Sequence, residues 1–169
     1  MRVNNYRSAL VLAAVAAGTA FIGTAYLRAG HTNVVLSAQL SGGQEVGAAR
    51  GMVGDPNGRG EAYVFGIDGD SETLCYVLLV EKVQLVPVPQ MMAHIHEGAA
   101  GVNGPVVASL AGPEDGNAAD CLTEFEAGKF PTGERGIVQR ILNNPSNFYV
   151  NVHNPEYPAG AIRGQLARE

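Results

Sequence analysis

Beyond residue 32, apolar and polar positions alternate along the chain in short runs separated by turn residues. "NVVLSAQL" (Asn33 to Leu40) has a period of two and stops at "SGGQE". "GRGEAYVFGI" (Gly58 to Ile67) follows the turn "DPNG". Its partner "TLCYVLLVEKV" (Thr73 to Val83) is more continuously apolar, as a central strand requires, and Asp68 to Ser71 predicts a hairpin turn between the two. "VPVP" breaks the ladder, because proline donates no strand hydrogen bond. "MMAHIHE" resumes it, and "PVVASL" (Pro105 to Leu110) follows a glycine-rich loop. "NFYVNVH" (Asn147 to His153) and "GAIRGQLA" (Gly160 to Ala167) read as the last strands, joined by the polar turn "NPEYPAG".

Two segments break this pattern. In "ERGIVQRILNN" (Glu134 to Asn144), Ile137, Val138, Ile141 and Leu142 make one apolar helical face, stopped by Asn143, Asn144 and Pro145. "AGPEDGNAADCLTEFEAGKFPTG" has no sustained period and reads as loop. The expected fold is all-β: an antiparallel Greek-key β-sandwich or barrel of roughly seven or eight short strands with one short helix. With 22 Gly and 9 Pro in 169 residues, turns are frequent, without the periodicity of a fibrous chain.

The first thirty residues differ. Ser8 to Leu27 is free of charge and lies between a basic, polar start and Arg28. It is expected to form an N-terminal hydrophobic helix, either a cleaved export signal or a single-helix membrane anchor. Both outcomes divide the chain into residues 1–30 and a domain at 31–169, and both place that domain outside the cytoplasm, periplasmic or secreted. Residues 1–30 hold three of the eleven basic residues and none of the sixteen acidic ones, so the remainder carries a net charge of −8. That balance excludes nucleic acid as a partner. In an oxidising compartment Cys75 and Cys121 most simply form a disulfide, closing a loop of about 45 residues worth roughly 3–4 kcal/mol. Two buried thiols or a thiolate metal ligand are the alternatives.

The chemistry concentrates in three histidines. On a strand, His94 and His96 face one side and Ile95 the other. His153 ends another strand and shares a face with Asn151. If the strands are neighbours, three imidazoles converge on one ion, with copper expected first and zinc second. The opposing reading is that they hold "GAAGVNG" in shape through hydrogen bonds. Glu97 is a candidate acceptor for a ring N–H, or a solvated strand end. Arg163 either bonds to a loop, pairs with Glu45 or Glu156, or guides an anion to the metal. His31 would join a copper-chelating tail only if cleavage left it next to a new amino terminus. No phosphate loop, nucleophile elbow or Cys-X-X-Cys pair is present.

"LSGGQEV", "AHIHEGAAGVNGPVV" and "FYVNVHNPEYPAGAIRGQL" together resemble the CHRD domain, named after chordin, over about Val34 to Leu166. The early motif departs from the family pattern, with "GAAR" in place of the usual prolines. The resemblance implies an extracytoplasmic β-sandwich; chordin-type members bind secreted growth factors, and bacterial members are mostly of unassigned function. More distantly the pattern is similar to copper/zinc superoxide dismutase. His94 and His96 match its strand pair of copper ligands, His153 the later ligand and Arg163 the anion-guiding arginine. The dismutase zinc loop has no counterpart. The expected function is therefore a binding or interaction module for a protein partner, with a mononuclear three-histidine copper site. A copper-dependent redox enzyme of dismutase type and a membrane-tethered structural subunit of a larger complex are the alternatives.

Overall fold

The computed structural model describes residues 34–47 and 53–169; the expected signal or anchor at residues 1–30 and His31 lie outside the described residues. Among the described residues nine strands and one α-helix follow in order. They are β1 (Val35–Ser41), β2 (Arg59–Ile67), β3 (Asp70–Glu81), β4 (Met92–Glu97), β5 (Val106–Leu110), β6 (Asn117–Thr123), α1 (Ile137–Asn143), β7 (Phe148–His153), β8 (Ile162–Gln165) and β9 (Ala167–Arg168). All pairings are antiparallel, in the order β5-β4-β7-β8-β1-β2-β3-β6, with β9 added to β1.

The ends of this path are tied together. The Ser109 N–H of β5 donates to the Lys129 carbonyl at 2.8 Å, beyond β6, and the Ala111 N–H donates to the Tyr76 hydroxyl of β3 at 2.7 Å. The result is a nearly closed barrel or sandwich. Its interior follows from the period of two. Leu36, Val64 and Tyr76 lie in one cross-strand row and Ala38, Ala62 and Leu78 in the next, all buried. On the other half, Ala93, Ile95, Val150 and Val152 are fully buried.

Three expectations need correction. The stretch read as loop contains β6, paired residue by residue with β3 from Asn117↔Leu79 to Thr123↔Thr73. Only Ala118 and Leu122 of β6 are buried, so its alternation is too sparse to see in sequence. It is a strand because β3 offers it a ladder. The helix begins three residues later than predicted, because Gly136 adopts the left-handed region at φ 82°. The side chain of Glu124 then takes the place of a helix cap, accepting from the Gly136 N–H at 2.8 Å and the Val138 N–H at 3.0 Å. The final predicted strand divides into β8 and β9.

Cys75 and Cys121 are directly opposite on β3 and β6, with Cα atoms 4.0 Å apart, and are disulfide-bonded. The other two cysteine readings fall away. The bridge pins the weakest-patterned strand to the strongest.

Candidate metal centre

The β4–β7 register decides the geometry of the site. Met92 is opposite His153, His94 opposite Asn151, and His96 opposite Tyr149. Alternation puts all six on the face away from Ile95 and Val150. The three imidazoles converge there. Ring centroids are 5.6 Å apart for His94 and His96, 5.2 Å for His94 and His153, and 6.4 Å for His96 and His153. One ring nitrogen from each lies within 4.8 Å of the others. A tetrahedral ion with metal–nitrogen bonds near 2 Å sets its nitrogens about 3.3 Å apart, so ring rotations of roughly an ångström close the site.

Backbone carbonyls orient two rings. His96 Nδ1 lies 2.8 Å from the Gly104 carbonyl and His153 Nδ1 lies 3.1 Å from the Pro158 carbonyl. A carbonyl only accepts, so the neutral His96 ring carries its proton on Nδ1 and keeps its lone pair on Nε2. His153 faces oxygen acceptors on both sides, the Pro158 carbonyl at Nδ1 and the Asn151 side-chain oxygen 3.1 Å from Nε2, and its single N–H serves one of them. His96 Nε2 and His94 Nδ1 are buried with no hydrogen-bond partner. Burial pushes His94 down to about 4, helped by the neighbouring His153 and His96. Burial also lowers His96 and His153. The rings are therefore neutral at pH 7, the form that binds metal.

Arg163 and Glu97 have other partners. Arg163 of β8 is 2% exposed. Its guanidinium lies 3.3 Å from the centroid of the Tyr149 ring, and Tyr149 stacks on His96 at 4.9 Å. Its N–H groups donate to the Ala99 carbonyl at 3.2 Å, the Val102 carbonyl at 2.8 Å and the Asn103 side-chain oxygen at 3.1 Å. Arg163 thus fastens the 98–104 loop whose Gly104 carbonyl aims His96. Glu97 extends from the opposite face of β4 and pairs with Arg140 of α1. The ring N–H groups of His96 and His153 use carbonyls instead.

Sequence reading missed Tyr149 and Gln165. Tyr149 sits at the same parity as Asn151 and His153, and its hydroxyl accepts from the Gly104 N–H at 3.2 Å. Gln165, opposite Tyr149, donates to the Gly98 carbonyl at 3.0 Å. Gly104 itself admits no side chain, since a Cβ there would meet the Glu97 carbonyl oxygen.

Glu45, and not Glu156, is the acid whose charge Arg163 senses. It lies half-buried beside Gly160, with one carboxyl oxygen buried and unpartnered. Burial raises its pKa to about 7 from 4.5, against the opposing pull of Arg163. Between these values the folded state holds a proton that the unfolded state has released. The stability this gives is full below 4.5 and is lost as pH rises through 7. Glu45→Gln is expected to leave Tm unchanged near pH 4 and to raise it by several degrees at pH 8. Melting curves across that range check it; a pH-independent difference counts against a buried, titrating carboxyl.

The CHRD-domain family profile matches residues 36–166, from β1 through β8, and includes all three histidines. The chain belongs to the CHRD-domain family. No curated protein and no solved structure matches it. In this CHRD domain the motifs "AHIHEGAAGVNGPVV" and "FYVNVH" are the β4–loop–β5 and β7 segments that build the histidine cluster.

Proposed function

We propose that this CHRD domain is an extracytoplasmic binding module holding one metal ion on His94, His96 and His153, copper ahead of zinc. The observation that carries the reading is the pair of buried, unpartnered nitrogens, His94 Nδ1 and His96 Nε2. Leaving a buried polar atom unsatisfied costs about 1–3 kcal/mol, and coordination removes that cost. The Gly104 carbonyl holds His96 in the tautomer that leaves Nε2 free for a metal, and the Pro158 carbonyl orients the His153 ring. Imidazole sites bind copper more tightly than zinc. The disulfide suits an oxidising compartment. The ion would join β4, β7 and the 98–104 loop into one rigid surface for a protein partner, with residues 8–27 supplying export or a tether. The dismutase-type alternative needs a free guiding arginine, and Arg163 is buried on loop oxygens.

Titration of the full chain with Cu(II) and Zn(II) against a chromophoric chelator tests this. About one equivalent bound, copper the tighter, is expected. Absence of uptake for both ions at micromolar concentration, and for Cu(I) under anaerobic conditions, overturns it.

A further inference from the structure

We infer that Met92 is the fourth ligand of this site and that the site takes its copper as Cu(I). The inference rests on the three-histidine reading and extends it to the metal's oxidation state.

Met92 has the parity of His94 and His96 on β4 and stands directly across from His153 on β7. Directly paired residues have Cβ atoms about 4.5–5.5 Å apart, and the side chain two positions along the strand faces the same way. Met92 is therefore flanked by two of the three imidazoles. Its neighbour Met91, of opposite parity, is 1% exposed in the core, whereas Met92 is 42% exposed on the histidine face. An unbranched thioether with three rotatable bonds can swing from that position over the cluster.

The donor chemistry selects the ion. Thioether sulfur is soft and favours Cu(I), while carboxylates favour harder ions. Glu97, the acid on β4, leaves this face and is paired with Arg140. The cysteines are bridged and offer no thiolate. The face thus presents neutral imidazoles and a thioether, a set of four donors suited to a monovalent ion that prefers tetrahedral coordination.

The test loads the full chain anaerobically with Cu(I), measures affinity by competition with bicinchoninate, and records copper X-ray absorption. The wild type is expected to show nitrogen and sulfur scatterers. Met92→Leu is expected to lose the sulfur and weaken Cu(I) at least about tenfold. Met91→Leu, a core change of similar volume, is expected to match the wild type in both. Cu(I) bound equally by wild type and Met92→Leu, with no sulfur signal in either, overturns the Met92 assignment and leaves the histidine site standing. Failure of the wild type to bind Cu(I), Cu(II) or Zn(II) overturns the histidine reading itself.

Discussion

Replacing His94, His96 and His153 together by leucine is expected to abolish saturable copper binding while changing the stability of the metal-free fold little. The two halves of this result arise from one feature. In the metal-free protein His94 Nδ1 and His96 Nε2 are buried without partners. They contribute an unfavourable desolvation of about 1–3 kcal/mol each, which an apolar side chain of similar size does not incur and which offsets the loss of the ring bonds to the Gly104 and Pro158 carbonyls. Histidines that served only to shape the loop would behave oppositely, and their loss would lower Tm. Bound metal reverses the balance for the wild type. At a free concentration one hundred times Kd it stabilises the fold by about 2.7 kcal/mol, so copper should raise the wild-type Tm and leave the variant unmoved. Isothermal titration and melting curves with and without copper read both halves. A destabilised metal-free variant, or copper binding that survives, would sink the metal reading.

Arg163→Met is expected to lower Tm by about 10 °C and to weaken copper binding by 10- to 100-fold. Methionine preserves most of the stem volume and removes the donor fork. The carbonyls of Ala99 and Val102 and the Asn103 side chain then lose their donors, a loss of about 3 kcal/mol. The loop is freed to move, and with it the Gly104 carbonyl that sets the His96 tautomer. Lysine does not rescue, because an ammonium cannot serve the same spread of acceptors while lying flat on Tyr149. The result separates the roles proposed for this residue. An anion guide would alter turnover with copper affinity intact, whereas a loop fastener alters stability and affinity together.

Much of this was legible because strands declare themselves by parity. Sequence determined that His94 and His96 share a face, that Asn151 and His153 share another, and that Ile137, Val138, Ile141 and Leu142 form a helical stripe. Each is a local consequence of a period of two or 3.6. Tertiary structure alone decided that β4 and β7 are neighbours. They are separated in the chain by β5, β6 and α1, and register across such a distance is set by how the whole barrel closes. For the same reason β6 escaped notice, since its strand character is lent by β3 and a disulfide rather than by its own side chains. Glu124 at the start of α1, Tyr149 stacked between Arg163 and His96, and the Pro158 carbonyl on His153 are likewise partnerships between distant segments. A side chain's facing direction is written within a few residues of it, but its partner is chosen by the packing of the entire fold.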